Sequence, residues 1–379
     1  MQINSKLPEV GITIFTKMSK MANDYGAINL SQGFPDFEVA PELIDRVHHY
    51  MKAGMNQYPP MPGVLSLREA IVKKIELSYD QRIPAENVLI TCGAIEAIFN
   101  TISAFVHQGD EVIIMNPAYD AYEVIINLQG AKAIGVNLNS EDYSINWPEV
   151  RKALTSKTRM IIINSPHNPS GAIISKEDLT QLEELTRNTD ILVLSDEVYE
   201  HIVFDGQKHQ SVLKSEELVK RSIATFSFGK TFHATGWRMG YLVAPEYLMK
   251  EIHKIHQYNT FTIHAPSQYA IADYLGDASN YESIAGMYQQ KRDFFLSAMK
   301  ASKFKAIHSS GTYFQLMDYS EISNKPDIEM AEWLTKEVGV ATIPTSVFYE
   351  DNKDNHVLRF CFAKNEDTLK AAAEKLSRL

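Results

Sequence analysis

The chain has little cysteine, no long apolar run and no long basic run, and each shortage excludes a class of protein. Only Cys92 and Cys361 occur among 379 residues, which is too few for a disulfide framework or a four-cysteine zinc site. The longest apolar runs, such as residues 161–163 and 191–194, are far too short to span a bilayer. The formal net charge of −10 argues against nucleic acid as a partner.

The N-terminal sequence MQINSKLPEV has no basic segment followed by an apolar stretch, so we expect no signal peptide. With so few cysteines, a cytoplasmic protein that has no membrane partner is the default expectation. A hydrophobic share of 45% and a charged share of 22% are typical of a globular chain. The length predicts two lobes, each able to bury its own core.

Short β-rich runs alternate with helical patterns through the first two thirds of the chain. Strands are predicted at residues 88–91, 111–115, 160–163, 191–194, 223–226 and 241–244. Ser175 and Asp178 resemble a capping box at the start of one of the intervening helices. Because these strands are continuous apolar runs separated by helices, they indicate a mostly parallel α/β sheet that is covered on both faces.

The pattern changes at about residue 285. A helix at 288–299, strands near 312–317 and 358–362, and a last helix with its apolar residues on one face predict a smaller α+β domain. We therefore expect a large domain at residues 46–284 and a small domain at 285–379. The N-terminal segment, residues 1–45, is expected to join the small domain.

Residues with chemical uses follow the predicted strands, where open α/β sheets bind their ligands. The turn at Cys92 to Ile95 opens a helix, and its backbone N–H groups suit a phosphate, although most such turns are only tight connections. Asn168 lies between His167 and Pro169 in a segment that is either a plain loop or a source of an amide for a ligand.

A carboxylate and a lysine follow two further strands. Asp196 at the end of a buried strand is costly unless it is paired, so it either caps the next helix or faces a cationic ligand atom. Lys230 after a strand is ordinarily a surface residue, but a desolvated lysine near other cations is a good amine nucleophile toward carbonyls. Ser227 and Arg238 on either side of it would suit a phosphate.

Taken together, these segments resemble the class I and II aminotransferases, which belong to fold type I of the pyridoxal-phosphate enzymes. The resemblance is ordered along nearly the whole chain and rests on seven segments: SQGFPDF at 31–37, NPAY at 116–119, HNPSG at 167–171, SDEVY at 195–199, SFGKTF at 227–232, GWRMG at 236–240 and LRFCF at 358–362. FTKM at 15–18, NQY at 56–58 and SFGKT at 227–231 carry a closer likeness to bacterial methionine aminotransferases and to kynurenine and glutamine transaminases. The implied fold has a mostly parallel seven-stranded sheet between helices, plus a smaller α+β domain.

The resemblance implies a division of labour around pyridoxal 5′-phosphate. Lys230 would hold the cofactor as a Schiff base and, once released, would move the substrate proton. Asp196 would pair with the protonated pyridine nitrogen, and Tyr199 and Asn168 would bond the phenolic oxygen. Tyr119 would stack on the ring.

The resemblance also implies how the phosphate is held. Its ligands would be Ser227, Arg238 and the backbone at Gly93, Ala94 and Ile95. Tyr58 would reach the phosphate from a neighbouring subunit, so we expect a homodimer with the active site at the subunit interface. Position 229 is Gly, where many members of the family carry Ser or Thr as a further phosphate ligand.

On the substrate side, the resemblance implies that Arg359 grips the α-carboxylate with help from Asn168 and the Gly33 backbone. Ile14 and Phe15 would face the side chain of the substrate. This surface is apolar and aromatic, and no arginine is evident for a second carboxylate. The expected reaction is therefore a ping-pong transfer of an amino group from methionine, an aromatic amino acid or glutamine to a 2-oxo acid.

Three other functions share features with this pattern. A carbon–sulfur β-lyase acting on cysteine conjugates would share the lysine, aspartate and arginine. A regulator with an aminotransferase-like domain would need an N-terminal DNA-binding module. The motifs begin by about residue 31, so we expect no such module here. His253 and His256 could form half of a metal site, but no third ligand has convincing spacing, so no metal is predicted.

Overall fold

The strands of the computed structural model, which describes residues 4–379, form three sheets. The strands are β1 Ile28–Asn29, β2 Val88–Thr91, β3 Glu111–Asn116, β4 Lys132–Asn137, β5 Thr158–Asn164, β6 Leu192–Asp196, β7 Ser222–Ser227, β8 Gly240–Val243, β9 Lys305–Ala306, β10 Phe314–Asp318, β11 Val340–Ala341, β12 Ile343–Pro344 and β13 Val357–Cys361.

Helices cover the faces of these sheets and connect their strands. They are α1 Ile14–Tyr25, α2 Pro41–Lys52, α3 Leu65–Tyr79, α4 Gly93–Phe105, α5 Ala121–Leu128, α6 Trp147–Ala153, α7 Lys176–Thr186, α8 Phe228–Thr231, α9 Glu246–Asn259, α10 Ala265–Leu275, α11 Ser279–Glu282, α12 Ile284–Met299, α13 Asp327–Trp333 and α14 Glu366–Leu376. Within residues 4–379 no helix has both the length and the apolar character needed to cross a membrane.

The central sheet has seven strands in the order β2-β8-β7-β6-β5-β3-β4. Only β8 runs antiparallel to its neighbours, and the other pairs are parallel. All residues of β2, β6, β7 and β8 are buried, as expected for strands covered on both faces. The predicted mostly parallel seven-stranded sheet is confirmed.

The parallel strands extend further than their apolar runs. Asn164 pairs with Asp196, and Asp196 pairs with Thr225, so polar residues predicted to follow the strands are their last members. The ladder hydrogen bonds join backbone groups and do not depend on the side chain. As a result, Asn164 and Asp196 are held by the sheet itself and not by a loop.

A second, four-stranded antiparallel sheet has the order β12-β13-β10-β9. Helix α14 buries its predicted apolar face, which consists of Leu369, Ala372, Ala373 and Leu376. Strand β1 pairs with β11 through Ile28 and Val340, so the N-terminal part of the chain adds to the C-terminal elements. The domain boundaries at residues 45 and 284 stay a prediction, and residues 1–3 lie outside the described part of the chain.

Candidate active site

The carboxyl ends of β5, β6 and β7 converge on one pocket with a cavity volume of about 320 Å³. Its lining includes most of the residues predicted from the sequence: Phe15, Gly33, Ala94, Ile95, Tyr119, Asn168, Asp196, Tyr199, Ser227, Lys230, Arg238 and Arg359. These residues come from positions 15 to 359 of the chain, so the fold gathers distant segments at one edge of the sheet, as the strand-end rule predicts.

Lys230 lies in α8, the short helix that begins directly after β7. Its Nζ donates to the Tyr313 hydroxyl at 2.8 Å and lies 3.4 Å from the Gly33 carbonyl oxygen. Burial lowers the pKa of the Lys230 amine to about 8, and Arg238 and Arg359 act in the same direction. A large share of the amine is therefore neutral near pH 8, which both nucleophilic attack and proton acceptance require.

Asp196, the last residue of β6, has only a few per cent of its surface exposed. Its Oδ2 accepts from the Tyr122 hydroxyl at 2.5 Å, and its Oδ1 accepts from the Val198 N–H at 3.3 Å. Burial raises the pKa of this carboxyl to about 6. Within residues 4–379 Asp196 forms no salt bridge, so the buried carboxylate is suited to a cationic ligand atom.

Arg359 on β13 is the largest of the fully buried side chains. Its Nη1 donates to Asn168 Oδ1 at 2.8 Å, and its Nη2 donates to the Ser31 carbonyl at 3.0 Å. Its Nε is buried without a hydrogen-bond partner among the described residues. The Phe314 ring lies 3.9 Å from the guanidinium carbon, and Phe15 lies 5.1 Å away. A buried guanidinium without an acidic partner is a ready binding group for a carboxylate.

The predicted phosphate residues form a tight group at the start of α4. Gly93 has φ +72°, and a Cβ there would lie 2.5 Å from Arg238 Nη2, so the guanidinium packs directly against the Gly93 backbone. A Cβ at Gly240 would lie 2.8 Å from the Gly93 carbonyl carbon and 2.9 Å from the Ala94 nitrogen. Arg238 Nη1 donates to the Thr235 carbonyl at 3.0 Å. A helix N-terminus beside a guanidinium is a site for a phosphate.

Two tyrosines predicted at the ring of the cofactor line the same pocket. Tyr199 is 3% exposed, and burial raises its pKa, so its hydroxyl remains protonated. Burial raises the pKa of Tyr119 to about 12. Both hydroxyls can therefore donate hydrogen bonds at neutral pH.

Three predicted residues are not part of the pocket lining. Gly93 does not line the pocket but packs against Arg238, which does. Ile14 is the first residue of α1 and packs against the core, while its neighbour Phe15 lines the pocket. Tyr58 is 83% exposed and stacks edge-on against Phe261, with ring centroids 5.6 Å apart. The role predicted for Tyr58 concerns a neighbouring subunit.

Several pocket residues were not predicted individually from the sequence. They are Gln32, Phe34, Ile98, Asn164, Val198, Thr235 and Phe314 in the lining, with Tyr122 and Tyr313 bonded to Asp196 and Lys230. Tyr122 follows Tyr119 by three residues, a helical spacing that could have indicated it. Tyr313 has no such local signal.

The site fits a phosphorylated pyridine aldehyde on the evidence of its own residues. It combines a buried carboxylate for a ring cation, a helix N-terminus with a guanidinium for a phosphate, and an amine with a lowered pKa for a carbonyl carbon. Position 229 departs from the usual pattern. A Cβ there would lie 3.1 Å from Thr235 Cα, so Gly229 makes room for a residue that itself lines the pocket.

Comparisons with known proteins agree with this geometry. Residues 25–376 match the family model for "Aminotransferase class I and II". The chain is 45% identical over 377 residues to the methionine aminotransferase of Escherichia coli strain K12, covering 99% of this chain and 98% of that one. It is 30% identical to human kynurenine–oxoglutarate transaminase 1, covering 98% and 97% of the two chains.

A crystal structure from Escherichia coli that identified a methionine aminotransferase function superposes with a TM-score of 0.98. That comparison covers 100% of both chains at 45% sequence identity. The carbon–sulfur lyase alternative gains no support from any of these likenesses.

Proposed function

We propose that this chain, which belongs to the class I and II aminotransferases, uses methionine, aromatic amino acids or glutamine as its amino donors. The chain is a pyridoxal-phosphate-dependent amino acid aminotransferase with the type I fold. The donor class is the proposal. It is carried by the aromatic lining of the pocket, where Phe15 and Phe314 lie beside Arg359 and Phe34 is a further member.

The lining supports this choice over a donor with two carboxylates. Arg238 and Arg359 are the arginines among the described lining residues, and Arg238 packs against Gly93 at the proposed phosphate end. That leaves Arg359 for the α-carboxylate and no guanidinium for a second one. The likeness to a methionine aminotransferase and a kynurenine transaminase agrees with an apolar or aromatic side chain.

In the proposed mechanism Lys230 moves the substrate proton and Arg359 binds the substrate carboxylate. Bound pyridoxal phosphate supplies an electron sink for the negative charge that develops at Cα of the donor. Lys230, with its pKa near 8, would accept the Cα proton as a neutral amine and deliver it to C4′, the former aldehyde carbon of the cofactor. Arg359 fixes the α-carboxylate and so orients the Cα–H bond toward Lys230.

Asp196 and its neighbours tune the site in this proposal. The Asp196 carboxylate would pair with the ring cation, which would offset the cost of its own burial. The protonated hydroxyl of Tyr199 and the amide of Asn168 would donate to the phenolic oxygen of the cofactor, and the Tyr119 ring would lie against its ring. Arg238, Ser227 and the N-terminus of α4 would hold the phosphate.

We further propose a homodimer in which Tyr58 completes the neighbouring site. Tyr58 at 83% exposed and Phe261 at 44% exposed form an aromatic pair on the surface, and such pairs are typical of interfaces. The cytoplasmic location remains a prediction from the sequence.

The decisive experiment is spectroscopic. The purified protein should absorb in the near-visible region, L-methionine should bleach that band, and a 2-oxo acid such as pyruvate should restore it. Lys230→Ala should lack the band, whereas Lys291→Ala, which removes a lysine that donates to the Lys364 carbonyl outside the pocket, should keep it. A band that L-aspartate bleaches faster than L-methionine would contradict the proposed donor class.

A further inference from the structure

The Tyr313 hydroxyl lies between the lysine amine and the segment predicted to bind the substrate carboxylate. It donates to the Gly33 carbonyl oxygen at 2.6 Å and accepts from Lys230 Nζ at 2.8 Å. Tyr313 immediately precedes β10 and is completely buried. None of the roles proposed above involves this residue.

We propose that Tyr313 is a positioning residue that holds the Lys230 amine, whenever that amine is free, with its lone pair open toward the substrate. The inference rests on the proposed role of Lys230 as the group that moves the Cα proton.

The direction of the two hydrogen bonds carries the argument. A tyrosine hydroxyl has one proton, and here the Gly33 carbonyl takes it. The phenolic oxygen can then only accept from Lys230, so a neutral amine gives it an N–H and keeps its lone pair unused. A hydroxyl free to rotate would instead donate to that lone pair and compete with the substrate proton.

The surroundings of Tyr313 hold this arrangement in place. A Cβ at Gly33 would lie 2.6 Å from the Phe314 ring, so the peptide of Gly33 is pressed against the residue next to Tyr313. The Tyr199 and Tyr288 rings pack on the Tyr313 ring at centroid distances of 5.1 and 5.7 Å. Burial raises the pKa of Tyr313 well above its usual value, so the hydroxyl keeps its proton and is not itself the base.

The test compares Tyr313→Phe with a matched control, Tyr319→Phe. Tyr319 is also completely buried, and its hydroxyl donates to a backbone carbonyl, that of Lys325, at 2.7 Å. Stopped-flow bleaching of the near-visible band by L-methionine and by α-deuterated L-methionine gives the rate and the isotope effect of proton transfer. For Tyr313→Phe we expect the rate to fall about tenfold or more, with a larger isotope effect and a nearly unchanged KM, because a misplaced base slows this step alone.

A second readout does not depend on turnover. Apoenzyme is mixed with pyridoxal phosphate, and the growth of the near-visible band follows attachment to Lys230. Tyr313→Phe should attach the cofactor several times more slowly than wild type, while Tyr319→Phe should match wild type.

The outcomes separate this inference from the proposed function. If amino acids do not bleach the wild-type band, the proposed function fails. If they do, and Tyr313→Phe matches Tyr319→Phe in rate, isotope effect and attachment, the positioning role is wrong. Should Tyr313→Phe not fold, 3,5-difluorotyrosine at position 313 keeps the ring and hydroxyl but weakens the oxygen as an acceptor. A wild-type isotope effect in that protein would equally overturn the inference.

Discussion

Asp196 shows how a single buried residue prepares a site for its ligand. Its carboxylate has a tyrosine hydroxyl and one backbone N–H as hydrogen-bond partners, and burial raises its pKa to about 6. The ionised form is therefore costlier in the folded chain than in the unfolded chain. For this group alone, the stability of the cofactor-free protein decreases as the pH rises from the unfolded value toward about 6. A bound cation reverses that cost.

The affinity for pyridoxal phosphate should therefore depend on the ionisation of Asp196. As the pH falls through about 6, the carboxylate is protonated and loses its attraction for the ring cation. We expect wild-type affinity, measured by titration of apoenzyme between pH 5 and 8, to weaken on the acid side. The phosphate of the cofactor titrates in the same range, so Asp196→Asn is the reference. The proposal for Asp196 fails if both proteins show the same slope.

Arg359 should control substrate binding more than cofactor binding. Arg359→Lys keeps a positive charge but loses the planar fork that matches a carboxylate. We expect KM for L-methionine to rise about a hundredfold, equivalent to roughly 2–3 kcal/mol, with cofactor affinity nearly unchanged. Arg292→Lys is the matched control, because Arg292 is a buried arginine that pairs with Asp205 and does not line the pocket. A KM that stays within about threefold of wild type for Arg359→Lys would exclude carboxylate binding by this residue.

Among single residues, the sequence predicts the site residues that lie at the ends of strands. It does not predict those that only a long-range tertiary contact brings to the site. Asp196 and Lys230 could be found because each follows an apolar run whose end is a ligand-binding position. Tyr313 reaches Gly33 across 280 positions of sequence. No pattern within a window of residues carries that contact.

Among the elements, the N-terminus of α4 combines a glycine in the left-handed region with a close side-chain contact. Gly93→Ala would put a left-handed φ of +72° on a residue with a Cβ, and that Cβ would displace the Arg238 guanidinium. We expect affinity for pyridoxal phosphate to fall about tenfold or more, since one charge-assisted hydrogen bond contributes roughly 1.5–3 kcal/mol. Fluorescence titration of the apoenzyme measures it.

Gly206→Ala is the control for this change. Gly206 has φ +71°, but a Cβ there would meet nothing within 4 Å. Both variants therefore carry the backbone strain of a left-handed alanine, and only Gly93→Ala disturbs Arg238. Both should lose stability, by about 1–2 kcal/mol, and only Gly93→Ala should lose cofactor affinity. Equal losses of affinity in the two variants would mean that Arg238 is not held by this close approach.

The fold itself was accessible from the sequence because its strands are buried on both faces and therefore read as apolar runs. In the seven-stranded sheet the exception is β4, since the apolar runs predict no strand at residues 132–137. It lies at the edge of the sheet, its burial is mixed, and Gly135 interrupts its pattern. Strand β4 is defined by its pairing with β3 along six residue pairs, which a periodicity cannot reveal.

For the whole molecule, we propose that a second copy binds at the surface near residue 58. Tyr58, Tyr258 and Phe261 are 83%, 88% and 44% exposed. The exposed aromatic pair of Tyr58 and Phe261 costs free energy while it faces water and is stabilised by burial against a partner. A second copy of the chain supplies such a partner with symmetric contacts.

The proposed exchange of Tyr58 between subunits leads to a quantitative prediction. Lys230→Ala and Tyr58→Ala proteins, each nearly inactive alone at limiting cofactor, are unfolded, mixed in equal amounts and refolded. Half of the dimers should contain one subunit of each kind. In these hybrids one site combines the intact Lys230 of one subunit with the intact Tyr58 of the other, so the mixture should recover about a quarter of wild-type activity.

A mixture of Lys230→Ala with Asp196→Asn is the control for this experiment, because both changes lie in the same pocket of one chain. The hybrid of these two proteins has a defect in each of its sites and should recover no activity. If Tyr58 served the pocket of its own chain, the first mixture would behave like this control. Recovery in the first mixture alone would assign Tyr58 to the neighbouring site, which makes the dimer the catalytic unit.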